Sequence, residues 1–274
     1  MKKICCHYND ELLDFIRENE ELILLFDSFD LFKHFVEDRR NVTKRYHHIV
    51  KMVYASLSQF EILESLKYVN ADFIFCNIGD KVKVLSQIDE LRSLHIRIYF
   101  TPEDISNYAS LKFLASLGVD CGLWIDKDSV VSDDEFADLA SYHFMSPVNH
   151  AHIEPFAYIG SHITDEHNVS LDNLYFRGLD TYILDNNHNL VNVVTEKTLC
   201  VDSEYTDELQ QKDSTDTKLS NYYNHFMDLD CCANCKAFRI CSGSLANKLS
   251  DCENTMSEIL DYVALSSNVQ RNNM

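Results

Sequence analysis

Glycine and proline are scarce in this chain of 274 residues, at 6 and 3. No Walker loop, dinucleotide fingerprint or nucleophile elbow occurs, which removes the common glycine-built phosphate cradles from the possible readings. Secreted disulfide folds are smaller and richer in both residues, so the 10 cysteines read as free thiols and metal ligands of a reducing compartment. Basic residues are in deficit as well. With 24 Lys and Arg against 44 Asp and Glu the formal charge is -20, and such a polyanion is repelled by nucleic acid and by anionic lipid. No window approaches the roughly eighteen uninterrupted apolar residues of a membrane span. The first ten residues, which include Lys2, Lys3, Cys5, Cys6 and His7, hold no apolar signal segment. The expectation is a soluble, cytoplasmic protein with neither nucleic acid nor membrane as partner.

What the chain does have is 46% hydrophobic residues, enough for a sizeable core, and a regular alternation of helical and strand patterns. Leu57, Phe60, Leu63 and Leu66 follow helical spacing and predict a helix over 57–69. Strands are expected at 72–78, 96–101 and 119–125, and a fourth at 143–148, with helices at 81–94, 104–117 and 132–142 between them. Gly118 stands where a C-cap glycine belongs, and Ser132 with Glu135 has the spacing of a capping box. The expected strands start about 24 residues apart, the length of one βα unit, and right-handed crossovers then give a parallel sheet covered by helices. Residues 21–26 (ELILLF) add an earlier strand. An open or closed barrel and a doubly wound sheet both satisfy this pattern.

Residues 151–230 carry 15 acids and 4 bases, so about half of the net charge lies there. Runs at 182–184 and 190–194 flank Asp185-Asn186-Asn187-His188-Asn189 and predict a β-hairpin. The stretch 204–217 reads as an acidic exposed loop, and an amphipathic helix is expected at 255–265.

Five of the 10 cysteines fall between Cys231 and Cys252. Cys232 and Cys235 form a C-x2-C pair that can turn two thiolates toward one metal centre. Cys241 follows after five residues, and Cys252 offers a fourth thiolate. Four such ligands suit tetrahedral zinc or a [4Fe-4S] cluster, and ligand type alone does not choose between them. Cys76 and Cys121 sit mid-strand among apolar neighbours and read as core.

The run C-x2-C-x5-C-x-G with Phe238 inside it, the later Cys252 and the hairpin ending at Leu199-Cys200 resemble the SPASM domain of radical S-adenosylmethionine peptide maturases. That resemblance is specific over about 180–265 and architectural before it. It implies an α/β fold: a partial (βα) barrel of radical-SAM type over 1–178, then a small cysteine-rich SPASM-like domain over 179–274. It also implies that Cys232, Cys235, Cys241 and Cys252 hold one auxiliary [4Fe-4S] cluster. Leu245 occupies the position where fuller members carry a cysteine for a second cluster, which leaves Cys200 and Cys231 as spares. The C-x3-C-x2-C motif that binds the catalytic cluster is absent, and Cys5-Cys6 cannot replace it, so no S-adenosylmethionine cleavage is expected. The implied function is that of an accessory or maturase protein of a ribosomally synthesised peptide system. Its implied partners are a precursor peptide and a modifying enzyme, either an ATP-grasp ligase or a radical enzyme.

Other constellations support other classes. His143, His150, His152, His162 and His167 gather near Glu154, Asp165 and Glu166, and His150 and His152 on a strand would share a face in a two-histidine, one-carboxylate metal site. Such a site would make the chain a metal-dependent enzyme, while a cluster used for electron transfer would make it a redox protein. Structural zinc at the four cysteines would instead make it an interaction module. Arg39, Arg40, Lys44, Arg45, His47, His48 and Lys51 form the one concentrated basic stretch, either a solvated helix face or a site for an acidic peptide or a phosphate.

Overall fold

The computed structural model describes residues 3–8, 21–38, 47–163, 170–176, 181–184, 190–192, 198–199 and 230–272. Its frame is one sheet. Strands β1 (Lys3–His7), β2 (Glu21–Phe26), β3 (His47–Ser56), β4 (Asn70–Asn77), β5 (Ile96–Phe100), β6 (Cys121–Leu123) and β7 (Ile153–Glu154) are neighbours in chain order, and every pair is parallel. Chain-ordered parallel strands with crossovers on the outside are what a βα barrel, open or closed, requires. β8 (Thr181–Leu184) lies parallel on the free edge of β1, and β9 (Leu190–Asn192) and β10 (Thr198–Leu199) continue antiparallel from it. Among the described strands β7 pairs with β6 alone, so the hydrogen-bonded sheet does not close into a ring. This agrees with a partial barrel.

The helices are α1 (Phe29–Asp38), α2 (Lys81–Ser86), α3 (Ile88–Ser93), α4 (Ser106–Ser116), α5 (Asp133–Met145), α6 (Phe156–His162), α7 (Asp230–Ala233), α8 (Phe238–Cys241) and α9 (Cys252–Asn272). Strand residues alternate between two cores. Phe73 and Phe75 face the helix side, where Phe32 and Phe60 meet them, Phe26 packs on Phe32 and Phe35 on Phe26, with Phe73 and Phe60 rings 4.9 Å apart. Their neighbours Asp72 and Ile74 face the opposite side of the sheet, in register with Arg97 and Tyr99 of β5. Leu245, Ile259 and Val263 from the C-terminal segment belong to the same continuous hydrophobic core as the strands.

Several expectations need correction. The helix expected at 57–69 is two short 3-10 turns, Leu57–Gln59 and Glu64–Tyr68. Gln59 Oε1 accepts from the Ser56 backbone N–H at 3.1 Å, the capping-box bond that starts the first turn, and the chain leaves helical geometry at Phe60, with φ -67° and ψ 127°. The helix at 81–94 is divided by Gln87, at φ -108° and ψ 3°, into α2 and α3. The strand at 143–148 is helical through Met145, because Phe144 continues the buried face of α5 onto Phe156, and β7 forms ten residues later than expected. Gly118 takes φ 81° past the end of α4, as a C-cap glycine does. Ser132 makes no capping hydrogen bond; instead the first-turn acid Asp133 reaches across to the start of α9. Its carboxylate accepts from Ser250 N at 2.9 Å, from the Ser250 hydroxyl, from Asp251 N at 3.1 Å and from Thr255 Oγ1 at 3.0 Å. Desolvation works against its charge, but these four donors outweigh it and hold Asp133 below the usual carboxylate range. The C-terminal helix is thereby fastened to the barrel. The sequence pattern does not predict β1 and β3, and the basic stretch, expected as a solvated helix face or an anion site, is strand β3 from His47 onward.

Candidate functional site

The cysteine-rich segment is a succession of tight turns. Cys235 N donates to Cys232 O at 3.2 Å, Phe238 N to Cys235 O at 3.1 Å and Cys241 N to Ala237 O at 2.8 Å. Ser242 and Gly243 then adopt positive φ, 50° and 81°, and reverse the chain. This reversal directs the backbone N–H groups of Gly243 and Leu245 at the Cys241 sulfur, with Leu245 N at 3.4 Å. The C-x-G spacing is therefore a device that points donors at a sulfur, the arrangement that tunes metal-bound thiolates. Burial nevertheless pushes the Cys241 thiol up to about 11. Cys232 is buried in α7, while Cys235 and Cys252 are half-buried and pack against the same core. The donor chemistry suits a thiophilic metal. Among the described residues, however, no three His, Cys, Asp or Glu side chains converge closely enough to hold an ion. Cys200 and the side chain of Cys231 lie outside the described residues.

The face of the sheet opposite the phenylalanine core holds a charged network that the sequence pattern does not predict. Arg97 donates to Asp72 through Nε and Nη2, both at 2.7 Å, and His47 Nε2 donates to the same carboxylate at 2.9 Å. Arg97 Nη1 lies 3.9 Å from Glu154, whose other oxygen accepts from Tyr158 N at 2.9 Å. The guanidinium also sits 5.6 Å from the Tyr99 ring centre. Gly122 makes this possible: a Cβ there would meet the Glu154 Cβ at 2.7 Å and its carbonyl oxygen at 2.8 Å. Asp72 is 1% exposed. Burial alone would raise it, but Arg97 and His47 outweigh burial and hold it low. Glu154 behaves in the opposite way, because burial outweighs the Tyr158 N–H and the more distant Arg97 and holds it high. The only signals for this network were single charged letters inside apolar strand runs, such as Asp72 in DFIF and Arg97 in IRIYF.

Midway along β1 the Cys5 thiol is buried, and desolvation pushes it up to about 12 against the smaller opposing effect of Lys51. Cys121 is core as expected, and Cys76 is half-buried with its Sγ 3.1 Å from Ala55 O.

The histidine region does not assemble a metal site among the described residues. The ring nitrogens of His150 lie 2.8 Å from Ala151 O and 3.0 Å from His143 O, so whichever carries the proton donates to a carbonyl. His152 is exposed while Glu154 points into the barrel, and His162 Nδ1 lies 2.8 Å from Tyr158 O. His167, Asp165 and Glu166 lie outside the described residues, as do the acidic stretch 204–217 and the basic residues Arg39, Arg40, Lys44 and Arg45. Burial, with smaller contributions from His150 and His152, lowers His143 to about 4. An unfolded histidine takes a proton near pH 6.5, so lowering the pH from about 6.5 to 4 favours the unfolded chain, by up to about 3 kcal/mol. Urea unfolding of His143→Phe should lose this part of the acid sensitivity, and an unchanged slope between pH 6.5 and 4 would contradict it.

A cleft of about 520 Å³ opens beyond the C-terminal ends of β5 and β6. Lys51, Ile74, Thr101 and Trp124 form its floor, and the loop after β6 forms its rim. The same loop carries Val131, whose N–H donates to Lys248 O at 2.9 Å, so the cleft and the C-terminal segment adjoin. Searches of protein-family models, of curated proteins and of solved structures find nothing that matches this chain. Among the described residues no helix is long and apolar enough to cross a membrane.

Proposed function

We propose that this chain is an accessory component of a system that modifies a ribosomally made peptide. In this reading the barrel, over 1–178, receives a precursor peptide or a partner modifying enzyme, an ATP-grasp ligase or a radical enzyme. The SPASM-like region, over 179–274, is organised by metal at Cys232, Cys235, Cys241 and Cys252. The observation that carries the reading is the order of the sheet. Seven parallel strands run in chain sequence, and the β8–β10 meander that precedes the cysteines is laid on the edge of β1. The four thiolates suit a [4Fe-4S] cluster, whose role is to order the segment around it and present a surface to the partner. Thiolate sites of this kind commonly close only as the metal binds.

Anaerobic purification of the full chain with iron, sulfide and zinc quantification tests the metal assignment. The expected result is about four iron and four sulfide per chain. One zinc without sulfide would replace the cluster by a structural zinc site, and neither metal would remove the assignment.

A further inference from the structure

We propose that the barrel-mouth cleft binds the free α-carboxylate of an amino acid or of a peptide C-terminus, with Lys51 and the Trp124 indole N–H as its donors. This names the part of the peptide recognised and so rests on the peptide-binding reading above.

Three observations converge on this assignment. Lys51 is half-buried on the cleft floor and, among the described residues, makes no ion pair or hydrogen bond, although the protein carries a formal charge of -20. No carboxylate is bonded to this ammonium, although Glu103, Asp126 and Asp128 line the same cleft, and its field reaches the buried Cys5 thiol. Trp124 is 6% exposed, and its Nε1 is a buried donor with no acceptor. Indole N–H groups are usually satisfied when buried, and this unsatisfied donor belongs to a residue that lines the cleft. Trp124 cannot swing away to find solvent. Tyr99 and Tyr175 clamp it edge-on from two sides, each with ring centres 5.5 Å away, and the Tyr175 hydroxyl is itself anchored to Leu123 O at 3.1 Å.

The donors fit a carboxylate rather than a neutral group. A compact ammonium supplies the charge and the indole a directed hydrogen bond, while Ile74 closes one side with an apolar wall. The rim has the opposite sign. Glu103, Asp126 and Asp128 surround the opening with Lys127 among them, so the part of the ligand that leaves the cleft is favoured when cationic. Phosphate fits less well, since its second negative charge would face that acidic rim.

The only tryptophan of the chain lines the cleft and so reports on it. Trp124 emission is followed during titration of the full chain with the tripeptide Lys-Lys-Gly, its C-terminal amide, and inorganic phosphate. The expected result is a saturable change with the free acid, a midpoint at least about tenfold higher with the amide and with phosphate, and a similar loss in Lys51→Met. Lys127→Met, on the rim, serves as the control for general charge and is expected to move the midpoint far less. Equal response to acid and amide, an unaffected Lys51→Met, or no change at millimolar peptide would each overturn the proposal. A silent cleft leaves capture of a precursor by another surface intact, so the two readings fail separately.

Discussion

Asp72→Ala is expected to destabilise the fold by about 3–5 kcal/mol, the loss typical of removing one partner from a buried ion pair. Arg97 would remain inside the barrel facing Glu154 alone, at 3.9 Å, and His47 would lose its acceptor. Urea unfolding measures this directly. The double variant Asp72→Ala/Arg97→Met should recover part of the loss, because it removes the stranded charge together with its partner. Asp72→Asn keeps the volume and lets a milder loss be read if alanine prevents folding. The pH dependence has a defined sign. Asp72 is held below its unfolded value, so its contribution is present above the ordinary aspartate range and disappears as pH falls through the lowered value. The wild-type advantage over Asp72→Asn should therefore narrow in acid; an advantage that is constant or grows there would contradict the ion-pair account.

The second large effect concerns the C-terminal cysteines. Cys235→Ser/Cys241→Ser should reduce bound metal to under about a tenth of the wild-type content, since two of four thiolates are gone. Proteolysis should then cut within 230–252, while the barrel strands persist as a protected core. Cys76→Ser, with its half-buried thiol on β4, should leave the metal content unchanged. Full metal retention in the double variant would exclude these residues as ligands.

The parts of the fold that could be read from the sequence are those where one physical signal acts alone. The run at Asn70–Asn77, the Gly118 stop and the hairpin of β8 and β9 each rest on local pattern, and each appears within a few residues of its expected place. β3 was hidden because His47, His48 and Lys51 look like a basic surface, whereas His48 is fully buried among Phe26, Phe32 and Phe35. The break between α2 and α3 depends on one residue, Gln87, whose helix propensity gives no warning. Of the candidate sites, the cysteine spacing was visible, but the donors aimed at Cys241 were not, because they depend on the positive φ of Ser242 as well as Gly243. The Asp72–Arg97 pair and the cleft are assembled from residues on different strands, and no local pattern encodes which of them become neighbours. The two-histidine site failed for a related reason: the spacing placed His150 and His152 on one strand face, but the chain there is not a strand, and the His150 ring turns to backbone carbonyls.

On the proposed function, this protein works by holding a peptide or the enzyme that modifies it. The most direct test is affinity capture with the anaerobically purified full chain as bait, against the short peptides and modifying enzymes encoded beside its gene. Retention of at least one of them is expected, at about micromolar affinity, with no 5′-deoxyadenosine formed when S-adenosylmethionine and reductant are added. Retention of none, or reductive cleavage of S-adenosylmethionine by this chain alone, would contradict it.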